Sequence, residues 1–306
     1  MSLFDRAVVL ALPAVPKPLV RHFSQPYIAG SRLDEAIATV RRLNTAGMMA
    51  TLDILGEHIH RIEEASGPRD SYLALIDEIH RTGVDSNVSV KLTQLGLKLD
   101  PEACYRNIRT MVMRAKTHGS FVRIDMEDTS CTDDTLGIYR RLRAEGLDNV
   151  GVVLQAMLRR SLRDASELGR EGANVRLCKG IYVEPRRHAY QDRELVRRSY
   201  VASLERLFAA GSYVGIATHD ELLVFEALRL VEKLGLKPGQ YEFQMLLGVE
   251  EELRRILVDA GHRLRVYVPF GEHWYAYSVR RMRENPRVAG HVARSILGRI
   301  GHTNRP

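Results

Sequence analysis

The run VGVVLQA at 150–156 places five apolar side chains in seven positions and then stops at a polar one, Gln155. It is too short to be a membrane-spanning helix. Its apolar character is nearly continuous rather than alternating, as in a strand covered on both faces. Working outward, the same kind of run recurs at 48–57 (MMATLDILGE), 87–96 (NVSVKLTQLG), 121–128 (FVRIDMED), 174–182 (NVRLCKGIY), 214–220 (VGIATHD), 241–248 (YEFQMLLG) and 264–271 (LRVYVPFG). The intervening segments carry helical periodicity. Asp100-Pro101 supplies an N-cap followed by proline at the first helical position, and Cys104, Ile108, Met111, Val112 and Ala115 form the apolar stripe behind it. Similar stripes run over about 193–210, 221–234 and 250–260.

Eight strand–helix units in succession close most naturally into a distorted (β/α)8 barrel, an α/β fold of the TIM type. The rival is an open doubly wound sheet, but no G-x-G-x-x-G follows any strand. The expected organisation is a single domain over 1–306. A helical segment at about 1–47 includes a helix at 33–46, the barrel occupies about 48–285, and a C-terminal helix runs over about 288–300.

The chain has 306 residues with a net charge of +7, and its positive residues are spread over helices rather than gathered in a tail. Without a basic stripe interleaved with aromatics, a nucleic-acid-binding protein is the weaker alternative and no nucleic-acid partner is expected. Cys104, Cys131 and Cys178 form no C-x-x-C and are odd in number, which fits a reducing compartment. The apolar stretch 7–15 is interrupted by Pro13. A cytoplasmic protein is expected, peripheral at most on the inner face of the membrane.

In a barrel of this kind chemistry collects where the strands end. Those ends offer Glu57, Lys91, Asp125, Glu127, Gln155, Arg176, Lys179, Thr218, His219, Gln244 and Tyr267. Buried charges are costly unless paired, so this many of them mark a mouth that is more than scaffold. One alternative uses His58, His60, Lys179 and His219 as the core of a metal-dependent barrel hydrolase. Strand eight, however, ends in V-P-F-G without the aspartate such a site needs, and no metal is expected.

After strand eight a helix is expected over 273–284, with Tyr277, Arg280, Arg281 and Glu284 on one face. Spacing alone leaves two readings open. One is an Arg280–Glu284 salt bridge beside a surface arginine; the other is a pair of guanidinium forks gripping one carboxylate.

Taken together, V-S-V-K-L-T-Q-L-G, R-I-D-M-E-D, R-L-C-K-G-I-Y, A-T-H-D, Y-E-F-Q-M-L-L-G and Y-V-P-F-G followed by Y-x-x-R-R-x-x-E-N resemble the proline dehydrogenase family, in order from about 27 to 286. With no aldehyde dehydrogenase half, the chain resembles the short monofunctional bacterial members. The resemblance implies FAD in the barrel mouth and oxidation of L-proline to Δ1-pyrroline-5-carboxylate, by hydride transfer from C5 to flavin N5. It also implies a quinone acceptor at the membrane surface and a downstream pyrroline-5-carboxylate dehydrogenase. Motif by motif, Arg280, Arg281 and Lys91 are implied to bind the proline carboxylate, with Tyr267 and Leu246 against the ring. Asp125 is implied as a catalytic-site residue. Arg176 is implied beside flavin N5, and Met126, Gln155, Lys179, Gly180, Ile181, Thr218 and His219 are implied to contact the cofactor. Glu57 is implied as a closing ion-pair partner of Arg280, with Tyr277 and Glu284 supporting the gate. Two positions depart from the common pattern: Val183 stands where many relatives have an aromatic, and Phe270 where they have tyrosine. In this chemistry Asp125 orients neighbouring polar groups rather than acting as a strong base.

Overall fold

The computed structural model describes residues 20–21, 24–56, 59–275 and 277–279. Eight strands, β1 (Met49–Ile54), β2 (Ser86–Val90), β3 (Val122–Ile124), β4 (Val150–Gln155), β5 (Val175–Cys178), β6 (Val214–Ala217), β7 (Tyr241–Leu246) and β8 (Leu264–Phe270), form a closed barrel. All neighbours are parallel, and β1 closes on β8 from Met49↔Arg265 through Ile54↔Phe270. The helices between them are α2 (Ser66–Thr82), α3 (Pro101–Thr117), α4 (Thr132–Ala144), α5 (Ser161–Arg170), α6 (Arg193–Ala209), α7 (Glu221–Lys233) and α8 (Glu251–Asp259), preceded by α1 (Leu33–Thr45).

Helix α3 begins as its sequence requires. The Asp100 carboxylate accepts the N–H groups of Glu102 and Ala103, each at 3.0 Å, and the five stripe residues are all buried. The apolar core lies between strands and helices, where Leu52, Val88, Ile124, Leu177, Phe243 and Val266 are fully buried. At about 1.5–3 kcal/mol per buried large aliphatic side chain, this annulus is the main source of stability. Among the described residues no helix is long and apolar enough to cross a membrane.

Two local expectations change. The run at 87–96 is not one strand: the ladder stops at Val90, and Leu92–Leu95 forms a 3-10 turn ending at Gly96 with φ 103°. The Glu127 carboxylate fixes that turn by accepting both the Thr93 N–H (3.1 Å) and the Thr93 hydroxyl (2.6 Å). Moreover, the strands are less uniformly apolar than their sequences suggest. Arg123, Arg176, Glu242, Gln244, Arg265 and Tyr267 alternate with apolar neighbours and meet across the lumen, so the barrel interior is a polar column rather than stacked aliphatic layers. Gly151 and Gly215 make room for it. A Cβ on Gly215 would stand 2.4 Å from Gln244 Nε2, and one on Gly151 would stand 2.5 Å from Arg123 Nη1.

Candidate active site

At the carboxyl ends of the strands the column opens into a cavity of about 620 Å3, within the range of cofactor and ligand sites. Fourteen residues singled out from sequence line this one space: Lys91, Asp125, Met126, Gln155, Arg176, Lys179, Gly180, Ile181, Thr218, His219, Gln244, Leu246, Tyr267 and Tyr277. Glu57, Arg280, Arg281 and Glu284 lie outside the described residues, as do half of the helix at 273–284 and the whole C-terminal helix at 288–300.

Asp125 is the hub. Its Oδ1 accepts Ser89 Oγ–H at 2.5 Å and Arg176 Nη1–H at 2.7 Å, and its Oδ2 accepts the Tyr267 hydroxyl at 2.9 Å. These partners come from β2, β5 and β8, so the contacts cross the lumen. Burial opposes the Asp125 charge, but Arg176, Lys91 and the hydrogen bonds from Ser89 and Tyr267 outweigh it. They hold the carboxyl below its ordinary value. The Tyr267 phenol is pushed far up by burial and by the Asp125 and Asp53 charges, and it therefore stays protonated as a donor.

Arg176 also donates through Nε to Gln244 Oε1 at 2.5 Å, and its guanidinium lies 5.2 Å from the Tyr267 ring centroid. Lys91 Nζ faces both Asp53 oxygens at 2.9 and 3.0 Å, Tyr267 Oη at 3.5 Å and Asp125 Oδ2 at 3.8 Å. Burial works against its charge, yet the two carboxylates prevail and raise its pKa, so the ammonium persists. Burial is the largest influence on Asp53 and pushes its carboxyl upward against the opposing pull of the Lys91 charge.

The other end of the cavity is differently made. Lys179 Nζ and the Arg197 guanidinium converge on Asp220 at 2.9 and 3.0 Å, with Arg193 beside them on the wall. His219 Nε2 accepts the Leu246 N–H at 2.8 Å, which fixes the ring as the tautomer protonated at Nδ1. Lys179 is thus held in an ion pair, and among the described residues no group of three or more His, Cys, Asp or Glu is placed to hold a metal ion. His58 lies outside the described residues.

The wall has features that would suit a flavin dinucleotide. Lys179, Arg193 and Arg197 line it together with Asp220 and Glu221, so the cations outnumber the carboxylates by one, and a pyrophosphate would share Lys179 and Arg197 with Asp220. Met126, Val153, Ala217, Met245 and Leu246 supply apolar surface that would suit a flat ring, and Arg176 and Gln155 are polar groups on the same wall. Sequence reading missed Asp53, Tyr72, Ser89, Arg193, Arg197 and Asp220. Asp53 did leave one signal, a charge in the middle of an otherwise apolar strand.

The sequence pattern of the family described as Proline dehydrogenase matches residues 36–294. The chain is 36% identical over 280 residues to "Proline dehydrogenase" of Deinococcus radiodurans, covering 90% of each chain. It is 35% identical over 271 residues to "Proline dehydrogenase 1" of Bacillus subtilis strain 168, covering 89% of each. Among solved structures, proline utilization A from Bdellovibrio bacteriovorus inactivated by N-propargylglycine superposes with a TM-score of 0.82 at 25% identity. That match covers 91% of this chain and 36% of the longer one. Strand-end motifs, closed barrel and relatives agree, and the chain belongs to the proline dehydrogenase family.

Proposed function

We propose that this protein oxidises L-proline to Δ1-pyrroline-5-carboxylate with FAD held in the barrel-mouth cavity. The observation that carries the reading is the convergence of Lys91, Tyr267, Asp125 and Arg176 on a single cavity that Lys179, Arg193 and Arg197 also line. The chemistry that bound FAD would supply is acceptance of a hydride from proline C5, with the electrons going on to a quinone at the membrane surface. Lys179, Arg193 and Arg197 hold its phosphates, and Met126, Gln155, Gly180, Ile181, Thr218 and His219 frame the rest. Val183, fully exposed two residues after Ile181, would offer no aromatic stacking surface to the cofactor.

The residues around the substrate do the positioning. Lys91, with Arg280 and Arg281, offers positive charge to the proline carboxylate, each desolvated charge-assisted contact contributing about 1.5–3 kcal/mol. Tyr267 and Leu246 wall the ring. Asp125 stays ionised and fixes the Tyr267 hydroxyl and the Arg176 guanidinium, so that neither must reorient during reaction. Arg176, on the cavity wall, would offer positive charge to a reduced flavin held there. Glu57, Tyr277 and Glu284 support closure over the substrate. Residues 1–306 act as one domain, and the product passes to a pyrroline-5-carboxylate dehydrogenase.

The test is L-proline-dependent dye reduction by the purified protein, with Arg280→Met and Arg281→Met beside it. Each substitution raises KM for proline strongly. Normal kinetics in both variants removes the carboxylate clamp, and no turnover by the parent protein removes the activity.

A further inference from the structure

Asp53 is the most deeply placed charge near the mouth. Its side chain is 1% exposed, whereas that of its partner Lys91 is 21% exposed. Asp53 is not part of the cavity wall; Lys91 is. The pair therefore has an anchored end and a presented end. The anchor is itself fixed from outside the barrel. The Tyr72 hydroxyl, on α2, lies 2.7 Å from the Ser89 carbonyl and 3.2 Å from Asp53 Oδ1, and it accepts the Ile54 N–H at 3.2 Å.

A buried ion pair is seldom retained for net stability, since desolvation offsets most of the attraction. What this pair settles is where Lys91 points. The ammonium is 3.8 Å from Asp125, the only other carboxylate within salt-bridge reach among the described residues. Without Asp53 the same attraction draws Lys91 onto Asp125, in competition with Tyr267 and Arg176 for its oxygens.

We propose that Asp53 is a positioning residue for proline oxidation: it holds the Lys91 ammonium at the edge of the cavity, presented to the substrate carboxylate and kept off Asp125. The inference rests on the proline-oxidation reading only in naming the group that Lys91 meets. The charged and titratable groups facing Lys91 are Asp53 on β1, Asp125 beyond β3, Arg176 on β5 through Asp125, Tyr182 beyond β5 and Tyr267 on β8. Asp53 carries the strongest charge interaction among them, so neutralising it lowers the pH at which Lys91 loses its proton.

Two measurements test this. The first is competitive acetylation of Lys91 at a series of pH values, read by mass spectrometry on the intact fold and independent of turnover. Asp53→Asn makes Lys91 more reactive and shifts its titration downward, and Tyr72→Phe, which keeps the carboxylate, shifts it less in the same direction. The second is steady-state kinetics. Asp53→Asn raises KM for L-proline about tenfold, the scale of one weakened charge-assisted contact, with a smaller change in kcat. It also brings an alkaline fall in kcat/KM to lower pH. In a Lys91→Met background the Asp53→Asn change adds little further, because the lysine through which it acts is gone. Unchanged Lys91 labelling in both variants, or full additivity of Asp53→Asn with Lys91→Met, overturns the proposal. If Lys91 labelling shifts as expected but the parent protein does not turn over proline, the substrate reading fails while the Asp53–Lys91 coupling stands. Should Asp53→Asn not fold, Tyr72→Phe and its double variant with Lys91→Met decide the same question.

Discussion

The lumen of this barrel holds two buried charge networks, one above the other, built from similar groups and put to different use. At the floor the Arg265 guanidinium forks onto both oxygens of Glu242 at 2.7 and 3.1 Å and donates to the Ala50 carbonyl at 2.7 Å. Glu242 also accepts Gln244 Nε2 at 2.6 Å and the Tyr213 hydroxyl at 2.8 Å. At the mouth Asp125 collects Ser89, Arg176 and Tyr267 in the same manner. Gln244 bridges the two, donating downward to Glu242 and accepting from Arg176 above. The difference lies in what each faces. The floor is enclosed, with the Glu242 side chain 3% exposed, and its bonds are made within the fold. The mouth lines a cavity into which Lys91, Asp125, Arg176 and Tyr267 all show a surface. Hydrogen bonding and burial do not by themselves distinguish scaffold from site; access to a cavity of ligand size does.

Matched changes from carboxylate to amide separate the two. Glu242→Gln strands the Arg265 charge in the interior and is expected to lower unfolding stability by about 3–5 kcal/mol, with turnover per folded molecule nearly unchanged. Chemical denaturation and active-site-normalised kinetics read the two quantities. The sign with pH follows from the depressed pKa of Glu242, which Arg265 and Tyr213 maintain against burial. Its contribution is present above the unfolded value of about 4.3 and lost as pH falls through the lower folded value, so Glu242→Gln flattens the acid limb of stability against pH.

Asp125→Asn differs in kinetics rather than in stability. It leaves the buried Arg176 cation with the neutral Gln244 and Ser89 and so lowers stability as well, although Lys91 retains Asp53, but kcat/KM per folded molecule falls about a hundredfold, the scale of losing one preorganised group at a reacting centre. Because Asp125 stands below the ordinary carboxylate range, it is ionised throughout the working pH range. Any acidic limb of kcat/KM above about pH 5 therefore belongs to another group and persists in Asp125→Asn. A limb that disappears makes Asp125 the base.

Gly215→Ala tests the bridge between the networks. Its methyl displaces Gln244 and costs about 1–3 kcal/mol of stability by overpacking, and it lowers activity by loosening Arg176. A neutral result in both measurements shows that the column relaxes without consequence. Tyr267→Phe has the smallest expected effect. It removes one hydrogen bond to Asp125 and leaves the ring on the cavity wall, and it is expected to raise KM for proline by about tenfold while thermal unfolding shifts by no more than a few degrees.

The barrel was legible in the sequence because its outward-facing positions obey a simple rule. Leu52, Val152, Ile216 and Val266 must meet helices, and that requirement leaves eight apolar runs separated by helical stripes. The inward positions obey no such rule. Arg265 at the floor and Tyr267 at the mouth are two residues apart on one strand, and nothing local tells which of them reaches the cavity. Gly151 and Gly215 within strands did announce that something large approaches, though not what. Tyr72 was hidden for another reason: its position on the buried stripe of α2 explains it fully as core, and only the path of its hydroxyl between β1 and β2 gives it a second role. The arginine pair at Arg280 and Arg281 was readable as a motif, but its placement lies outside the described residues.

The central claim is that the mouth network, and not the floor, performs proline oxidation. Anaerobic mixing of L-proline with flavin-loaded parent protein, Glu242→Gln and Asp125→Asn, followed at the visible flavin band, tests it directly. The account predicts rapid bleaching in the parent, nearly the same rate in folded Glu242→Gln, and bleaching about a hundredfold slower in Asp125→Asn. An unbleached parent, or equal slowing in the two variants, would contradict it.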